Sequence, residues 1–350
     1  MKKILMVGAS RKMKGGIATV VNSYYKLGLD KEVELTYLET ICEGNKLFRF
    51  KKFCESIIYI LKNIKNYDIV HIHMASRGSF LRKSILLLIA KYFNKKVVIH
   101  MHGAEFMIFY EKESNKIYQR YIRYILDKSD CIFALSDKWK ENLGEITNIK
   151  KIKVINNSII IPNKKDKKYN KNIMLFLGRV GERKGIFDIL DVIPNIVKEN
   201  DDLKFIIGGD GEVDKAIEVC KKNNIDKYVE FVGWVDGNKK ENLLKLASIY
   251  ILPSYNEGMP MSILEAMSYS IPIISTYVGG IPELIKNGKE GILINAGNKY
   301  ELEEAIKELI NSEEKKSSMG KCARKKVEDE FDLRINLQKI LEEYNNLLEK

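Results

Sequence analysis

The alternation of two kinds of segment constrains the fold of this chain more than any other feature of its sequence. Short apolar runs rich in Ile, Val and Leu alternate with longer stretches of helical periodicity, a pattern typical of βα units on a parallel sheet. The pattern stops at the polar segment 162–168 and then starts again. We therefore predict two α/β domains in tandem, each with a doubly wound sheet. Ligands of such folds bind at the carboxyl ends of the strands, so the predicted site is the cleft between the domains.

The predicted first domain covers residues 1–165 and the predicted second domain covers residues 166–331, with about six strands in each. A last helix over about 332–350 has one apolar stripe and could pack on either domain. The predicted strands are Lys3–Gly8, Val33–Leu38, Asp68–Met74, Lys96–His102, Cys131–Leu135, Ile152–Asn156, Ile173–Gly178, Lys204–Gly208, Val229–Val232, Ser248–Pro253, Pro272–Ser275 and Gly291–Ile294.

Length and composition limit the class of protein. The 350 residues exceed the roughly 250–300 that one hydrophobic core reaches, and 45% hydrophobic with 30% charged residues indicates a folded chain. No apolar run approaches the ~18 residues of a membrane span, and basic residues follow the first run at once, so we interpret it as a strand and not as a signal peptide. The five cysteines are scattered without a Cys-x-x-Cys pair, which predicts neither zinc nor disulfides and fits a reducing cytoplasm.

The basic charge is concentrated in the first half of the chain. Residues 1–165 contain 31 Lys and Arg against 15 Asp and Glu, a net charge of +16, whereas residues 166–350 have a net charge of −4. This asymmetry predicts an anionic partner, either a membrane or a nucleic acid. The segment 45–65 is basic and amphipathic, as are helices that lie on anionic lipid. A helix that packs on the core and presents lysines to solvent explains the same pattern.

The densest chemical signal lies between Pro253 and Glu265. An apolar strand ends at Pro253, and a glycine-containing turn leads into a helix whose first amides, at 259–262, could bind phosphate or sugar oxygens. Glu257 lies before this helix and Glu265 lies on it, so the two could contact different parts of one ligand. In the alternative interpretation, Glu257 is a partner of the helix dipole and Glu265 is a solvated helix residue, and for one carboxylate alone this alternative is favoured.

A second signal, Gly178–Gly185, ends a strand and opens a helix, where an anion could bind. Arg179 can bind two oxygens, and Lys184 adds a positive charge five residues later. Because no Ser or Thr follows the lysine, the segment is not a P-loop and does not support nucleoside-triphosphate hydrolysis. A basic surface turn is the alternative interpretation.

All four histidines fall in two predicted strands, His71 with His73 and His100 with His102. Alternation places each pair on a shared face of its strand. A metal site of four histidines is conceivable, but no carboxylate spacing supports it. We interpret His102, which ends its strand before Gly103, as a residue at the predicted cleft and the other three as satisfied core residues.

These motifs resemble those of the retaining glycosyltransferases of family 4, which have the two-domain GT-B fold. Glu257 and Glu265 match the family's pair of glutamates with seven residues between them, and Gly178–Gly185 matches its diphosphate motif. Shorter matches follow in family order at residues 15–16, 102–103, 209–211, 231–233 and 279–283. The resemblance covers nearly the whole chain and implies a C-terminal helix that crosses back to the first domain.

The resemblance also implies a role for each matched residue. Arg179 and Lys184 hold the donor diphosphate and stabilise the leaving nucleotide, so neither a divalent metal nor another cofactor is expected. Glu265 binds ribose, Glu257 binds the donor sugar, and His102 contacts the sugar near its C6 hydroxyl. The implied catalytic residues are Glu257, Arg179, Lys184 and His102, and the implied donor-binding residues are Gly16, Gly178, Arg179, Lys184, Val235, Glu257, Gly258, Met259, Met261, Ser262 and Glu265.

The implied reaction is transfer of a hexose from a nucleotide-diphosphate sugar to an acceptor hydroxyl, with retention at the anomeric carbon. A UDP-sugar is the favoured donor and GDP-mannose is the competitor. The first domain is expected to bind the acceptor, a saccharide or polyprenyl-linked saccharide of cell-surface polysaccharide synthesis. A cytoplasmic enzyme, peripheral on the inner face of the plasma membrane through 45–65, fits this acceptor.

Two other functions remain open at the level of the sequence. The first is a sugar-nucleotide epimerase of the same fold, which needs no acceptor. The second is a basic nucleic-acid-binding protein, although the chain has no zinc, helix-turn-helix or aromatic-platform signature and no nucleic acid is expected as its partner.

Overall fold

The computed structural model describes residues 1–163, 167, 169 and 172–349. Its internal contacts divide the chain into two compact units, Met1–Ile160 with Leu333–Lys350, and Ile161–Asp332. The predicted domain boundary between residues 165 and 166, and most of the predicted linker 162–168, lie outside the described residues.

The first unit is built on one parallel sheet of six strands. Its strands are β1 (Lys3–Gly8), β2 (Glu34–Glu39), β3 (Ile69–Met74), β4 (Lys96–Met101), β5 (Cys131–Ala134) and β6 (Ile152–Val154). Its helices before the second unit are α1 (Gly16–Lys26), α2 (Leu29–Glu32), α3 (Lys46–Asn63), α4 (Gly78–Tyr92), α5 (Phe106–Ile108), α6 (Lys116–Lys128) and α7 (Asp137–Gly144). The strand order is β2-β1-β3-β4-β5-β6, so the direction of winding reverses between β1 and β3.

The second unit repeats this architecture. Its strands are β7 (Ile173–Leu177), β8 (Lys204–Gly208), β9 (Val229–Gly233), β10 (Ile249–Leu252), β11 (Ile273–Thr276) and β12 (Gly291–Ile294). Its helices are α8 (Ile186–Ile196), α9 (Val213–Lys222), α10 (Gly237–Leu246), α11 (Met261–Ser268), α12 (Ile281–Leu284), α13 (Lys299–Ile310) and α14 (Glu313–Glu330). The strand order is β12-β11-β10-β7-β8-β9, so the winding reverses between β7 and β10.

The central strands form the core of each unit. Every residue of β3 and of β10 is buried, as expected where helices cover both faces of a parallel sheet. Leu86 and Leu87 of α4 are fully buried against the first sheet. The continuous apolar runs that predicted these strands are therefore the residues that fill the two cores.

The last helix, α15 (Leu333–Leu348), belongs to the first unit. The Leu333 amide donates a 2.9 Å hydrogen bond to the carbonyl of Ile159, which holds the start of the helix. Ile340 and Tyr344 are fully buried. From its apolar stripe alone, this helix could pack on either domain. The structure assigns the helix to the first unit.

The structure confirms the predicted fold class. All the predicted strands are present, with ends that differ by one or two residues, as is usual for element boundaries. The sequence pattern did not predict α2, α5 and the π-helical turn Phe109–Glu113. Elements this short span about one turn, so no apolar periodicity can repeat within them. Among the described residues, no helix combines the length and the apolar character that a bilayer crossing requires.

Candidate functional site

The sequence motifs of the second unit converge on one edge of its sheet. The strands β11, β10, β7, β8 and β9 are neighbours, and the motifs lie in the loops that follow four of them, whereas 231–233 forms the end of β9 itself. The two densest motifs follow β7 and β10, the strands between which the winding reverses. Loops diverge at such a point and leave a crevice, which is where open α/β sheets bind their ligands.

Lys184 and Glu257 meet at this crevice. The Lys184 ammonium contacts Oε1 of Glu257, and the Ser254 hydroxyl donates a 2.8 Å hydrogen bond to the same oxygen. The side chains of Lys184 and Glu257 are 15% and 7% exposed. Glu257 is therefore the partner of a cation from the neighbouring motif, which goes beyond a helix-dipole interaction.

Backbone contacts join the loops that follow β7 and β10. Gly185 has φ +71°, and a Cβ there would lie 2.1 Å from the carbonyl oxygen of Pro253, so only glycine allows this approach. The Tyr255 amide donates to the carbonyl of Arg183 at 2.9 Å, and Nη1 of Arg183 donates to the carbonyl of Asn256 at 2.8 Å. These contacts fix the spacing at which Lys184 reaches its carboxylate.

The loop after β11 packs directly on Glu257. Gly279 has φ +56°, and a Cβ there would lie 1.8 Å from the carbonyl oxygen of Glu257. The Gly280 amide donates to the carbonyl of Gly258 at 2.6 Å. The paired glycines thus allow a third loop to hold the backbone that carries the buried carboxylate.

Arg179 lies beside the glycines that follow β8, since a Cβ on Gly211 would lie 3.0 Å from its Cγ. The Gly178 amide donates to the carbonyl of Gly208 at 2.9 Å, and a Cβ on Gly209 would lie 1.8 Å from the carbonyl oxygen of Gly178. Arg179 is exposed and forms no ion pair with any residue that the structure describes. Its guanidinium is therefore available to an anion.

Glu265 has a partner that the sequence analysis missed. Nζ of Lys240, on α10, contacts Oε1 of Glu265 at 2.6 Å. The side chain of Glu265 is 17% exposed, which does not agree with its interpretation as a solvated residue. The contact spans two helices, and no pattern in the sequence connects Lys240 with α11.

Tyr250 is a second residue of this edge that the sequence analysis missed. It is fully buried in β10, and its hydroxyl donates to the carbonyl of Leu177 at 3.0 Å, between the two strands at which the winding reverses. Burial raises the pKa of its hydroxyl. The phenol therefore stays protonated and joins the ends of β7 and β10.

The remaining predicted donor-binding residues of the second unit are mostly buried. The side chains of Val235, Met259 and Met261 are buried, with at most 9% exposed. Gly258 is also buried, and Ser262, in the first turn of α11, is partly exposed. Ligand contacts at the three apolar positions would thus involve main-chain groups.

The four histidines form a stacked row in the first unit. His73 and His100 are register partners on β3 and β4, and their ring centroids lie 5.2 Å apart. Nδ1 of His73 lies 2.8 Å from Nε2 of His102, which directly follows β4 and is partly exposed. His71 and His100 are buried, as predicted, but Nε2 of His73 and of His100 have no hydrogen-bond partner among the described residues.

Burial keeps these imidazoles neutral. Desolvation lowers the pKa of His71, His73 and His102 well below the usual range and lowers that of His100 to about 3. Nearby Lys83, which is 1% exposed on α4, also escaped the sequence analysis. Burial lowers its pKa to about 7, and its Nζ donates to the Ser79 hydroxyl at 3.0 Å.

Gly16 is the other predicted site residue of the first unit. It begins α1 after Gly15, which has φ +141°, and a Cβ on either residue would meet no atom within 4 Å. The loop between β1 and α1 is therefore open at the carboxyl edge of the first sheet. This edge again includes a reversal point, between β1 and β3.

Two family models match consecutive parts of the chain. The model described as "Glycosyltransferase Family 4" matches residues 30–161, and the model described as "Glycosyl transferases group 1" matches residues 157–326. The candidate edge of the second unit and His102 thus lie within matched regions, whereas Gly16 lies before them.

Similar proteins come from bacteria and archaea. An uncharacterized glycosyltransferase of Methanocaldococcus jannaschii is 29% identical over 91% of each chain. The UDP-Gal:alpha-D-GlcNAc-diphosphoundecaprenol alpha-1,3-galactosyltransferase of Escherichia coli is 28% identical over 91% of this chain and 86% of that protein. The crystal structure of Anabaena HepE in complex with UDP-glucose superposes with a TM-score of 0.79 at 17% identity, over 99% of this chain and 100% of that chain.

Proposed function

The chain belongs to the family 4 glycosyltransferases, and from this premise we propose that it transfers a hexose from a UDP-sugar to an acceptor hydroxyl, with retention at the anomeric carbon. We propose further that the acceptor is a lipid-linked saccharide of cell-surface polysaccharide synthesis. The name of the Escherichia coli relative, which includes a UDP-sugar donor and a diphosphoundecaprenol acceptor, supports both parts.

One observation carries the proposal: two cations, a buried carboxylate and glycine-rich backbone meet at the reversal point of the second sheet. Lys184 contacts Glu257, and Arg179 is exposed beside them without an ion pair among the described residues. A diphosphate needs such cations, because cleavage of the sugar–phosphate bond leaves additional negative charge on the leaving nucleotide. Arg179 and Lys184 supply this charge from the protein, so the proposed reaction requires no divalent cation.

Glu257 binds hydroxyls of the donor sugar in this proposal and does not act as a nucleophile. Its Oε1 already accepts from Ser254 and contacts Lys184, which leaves Oε2 to accept from sugar hydroxyls. Retention follows if the acceptor oxygen attacks from the face that the leaving phosphate occupies. A phosphate oxygen then takes the acceptor proton, and the new C–O bond forms as the sugar–phosphate bond breaks.

Glu265 accepts hydrogen bonds from the ribose hydroxyls in the same proposal. Its ion pair with Lys240 orients the carboxylate on α11. Main-chain groups near Val235 meet the base, in agreement with the burial of that side chain. Gly16 and His102, in the first unit, remain predicted donor contacts.

A peripheral position on the inner leaflet completes the proposal. The helix α3 presents basic and large apolar side chains together, and Leu47 and Phe50 are 76% and 63% exposed. An acceptor with a polyprenyl tail is reached only by an enzyme at the bilayer surface. The basic first unit is thus explained by phospholipid and by the phosphate of the acceptor.

A thermal-shift screen of the full chain tests the donor assignment. UDP, UDP-glucose, UDP-galactose and UDP-N-acetylglucosamine should each raise the melting temperature with and without EDTA, because a ligand of the native state stabilises it. If GDP-mannose raises the melting temperature more than the uridine nucleotides do, GDP-mannose is the donor. Absence of any shift, together with retardation of random DNA or RNA at physiological salt, would favour the nucleic-acid-binding alternative.

The same preparation separates transfer from epimerisation. When the protein is incubated with the best-binding nucleotide sugar and no acceptor, the sugar of the donor should stay unchanged. When an undecaprenyl-diphosphate saccharide is then added as acceptor, the donor should release free nucleoside diphosphate. Interconversion of the donor in the absence of acceptor would assign the epimerase reaction instead.

A further inference from the structure

The histidine row of the first unit is connected to the C-terminal helix. The Tyr344 hydroxyl lies 2.5 Å from Nδ1 of His71, and Nε2 of His71 lies 3.3 Å from Nδ1 of His100. The second pair, His73 with His102, follows on the same sheet. These are all four histidines of the chain, so each belongs to this one cluster.

Each imidazole in the cluster has one donor and one acceptor. Burial lowers the pKa of all four, so each ring carries one proton, and a hydrogen bond at one nitrogen determines the role of the other. The hydrogen bonds form two separate groups, Tyr344–His71–His100 and His73–His102. In each group the protons can point toward the His102 end of the row or in the opposite direction, which gives two possible polarities.

Tyr344 distinguishes the two polarities. Its hydroxyl is fully buried, burial raises its pKa well above the ordinary value, and His71 is its only hydrogen-bond partner among the described residues. A buried phenol that keeps its proton must donate it or leave an unpaired O–H group. Tyr344 therefore donates to Nδ1 of His71, which places the proton of His71 on Nε2, and His71 in turn donates to Nδ1 of His100.

The two unpartnered nitrogens extend the same polarity. His100, which accepts at Nδ1, carries its proton on Nε2, and this is one of the two buried imidazole nitrogens without a partner among the described residues. The other is Nε2 of His73, whose ring stacks on His100 at 5.2 Å between centroids. If Nε2 of His73 is an acceptor, a donor and an acceptor lie on adjacent rings. If it carries a proton, two unpaired N–H groups are buried together, which costs more.

We propose that Tyr344, His71, His100 and His73 act as positioning residues that hold His102 in the tautomer with its proton on Nδ1. His73 then donates from Nδ1 to Nε2 of His102. Nδ1 of His102 forms no hydrogen bond within the described chain and is not among its buried, unpartnered polar atoms. It presents an N–H donor at the carboxyl edge of the first sheet, for a hydroxyl or phosphate oxygen of a ligand.

This tautomer limits what His102 can do. A ring that presents Nδ1–H and has its other nitrogen occupied by His73 cannot remove a proton from an acceptor hydroxyl. His102 therefore binds an oxygen as a donor and does not act as a general base. The identity of that oxygen rests on the proposed function, whereas the tautomer does not.

A metal ion is the competing occupant of the cluster. One nitrogen each of His71, His73 and His100 lies within 4.8 Å of the others, as in a three-histidine site. Such a site would need nitrogens that the chain uses for internal hydrogen bonds, because only two ring nitrogens of these three residues are unpartnered. Zinc analysis of the purified protein is thus part of the test.

Imidazole nitrogen NMR of the full chain labelled with ¹⁵N-histidine tests the assignment directly, because only four rings contribute. Long-range ¹H–¹⁵N correlations should show His102 neutral at pH 7 with its proton on Nδ1, and His71 and His100 with theirs on Nε2. A His102 proton on Nε2, or one equivalent of bound zinc, would overturn the proposal. The spectrum needs no substrate, so the result stands even if glycosyl transfer is not observed.

Variants of the positioning residues provide the second readout. Tyr344→Phe removes the group that sets the polarity and should raise the His102 Nε2–H tautomer from a minor to a major species. Tyr67→Phe, which removes a buried hydroxyl bonded to Tyr59 at 2.7 Å in the same unit, is the matched control and should leave all four rings unchanged. An unchanged spectrum in Tyr344→Phe would contradict the assigned polarity.

Activity then separates positioning from simple packing. His73→Asn retains a side-chain donor near the position of Nδ1, whereas His73→Leu retains only volume. We expect kcat/KM for transfer to fall about tenfold in His73→Leu, as for the loss of one hydrogen bond, and to recover at least in part in His73→Asn. Equal loss in both variants, with the His102 tautomer unchanged, would indicate a structural role alone.

Discussion

Lys184 and Glu257 form a charge pair whose members are proposed to bind different parts of one donor. Both side chains are mostly buried, so each lowers the electrostatic cost of burying the other. Arg179, the second proposed diphosphate ligand, is exposed and has no such structural partner within the described residues. The two cations therefore differ in their contribution to stability although their proposed roles in catalysis are alike.

This difference predicts separate effects of two substitutions. Arg179→Ala and Lys184→Met should each lower kcat for transfer by about a hundredfold or more, because each removes positive charge from the leaving diphosphate. Only Lys184→Met should also lower the free energy of unfolding, by about 3 kcal/mol, because Glu257 then remains buried without its cation. Activity assays and denaturant unfolding measure the two effects.

The double variant Lys184→Met with Glu257→Gln is the control. It should recover most of the lost stability and none of the activity. Full activity in Arg179→Ala or in Lys184→Met would contradict the diphosphate assignment.

Glu265 and Lys240 allow a second residue-level test. Glu265→Gln should weaken UDP binding by about tenfold, because a neutral amide replaces the charged acceptor for the ribose hydroxyls. Lys240→Met removes the same ion pair but keeps the carboxylate, so it should weaken binding less. Isothermal calorimetry with UDP compares the two, and equal affinities in Glu265→Gln and the unmodified protein would exclude the ribose role.

The helix α3 has one buried face and one exposed face. Its inner face packs on the first unit through Phe53, Ser56 and Ile60, and Asn45 caps its start by accepting from the Phe48 amide at 2.9 Å. Its outer face exposes Leu47, Phe48, Phe50, Ile58 and Leu61 by 50% or more. For segment 45–65 we considered a helix that packs on the core and a helix that binds lipid. A helix with one buried and one exposed face is compatible with both interpretations at once.

Charge reversal on this helix predicts loss of membrane binding. Lys46, Arg49 and Lys51 are exposed, whereas Lys52 lies 3.9 Å from both Glu39 and Glu55. Changing the first three to Glu should reduce binding to anionic liposomes by about a hundredfold, since each basic residue near such a surface contributes about 1 kcal/mol and reversal adds repulsion. Sedimentation with phosphatidylglycerol vesicles measures the effect.

The matched control carries the same charge change in the second unit. Lys198, Lys221 and Lys222 are exposed there, and their reversal to Glu should leave most of the binding intact. If both triple variants lose binding equally, net charge and not α3 determines the attraction.

The molecule repeats one architecture, and each copy has a winding reversal at the edge where its motifs lie. In the second unit this edge gathers charged groups, whereas in the first unit it holds a neutral histidine cluster against the C-terminal helix. The stability of the first unit should therefore depend on pH. An unfolded histidine has a pKa near 6.5, and the folded values are lower, so the unfolded chain binds more protons as the pH falls below about 6.5.

The free energy of unfolding should consequently fall as the pH is lowered. We expect about 1 kcal/mol for each of His71, His73 and His100 between about pH 7.5 and 5.5. Lys83, with a folded pKa of about 7, contributes in the same direction, mostly above pH 7. Denaturant unfolding at both pH values measures the total. The His100→Phe variant should lack about 1 kcal/mol of this pH dependence of the free energy of unfolding, the amount expected from one histidine. If the pH dependence is unchanged in the variant, His100 is not buried in its neutral form.

The strands, the two-sheet architecture and the family could be predicted from the sequence, because buried parallel strands require continuous apolar runs and because the family motifs are particular residues at fixed spacing along a loop. Lys184, Glu257 and Glu265 could be found in this way. Lys240, Tyr250 and Lys83 could not, since their roles depend on neighbours distant in sequence.

The contacts between the motifs, and the residues that surround them, follow from the tertiary structure alone. Strand order, which places β10 beside β7, brings Glu257 to Lys184 across 73 residues of sequence. The assignment of α15 to the first unit brings Tyr344 to His71 across 273 residues. No periodicity encodes such pairings, because they follow from the winding of the sheet and from the burial of one helix stripe.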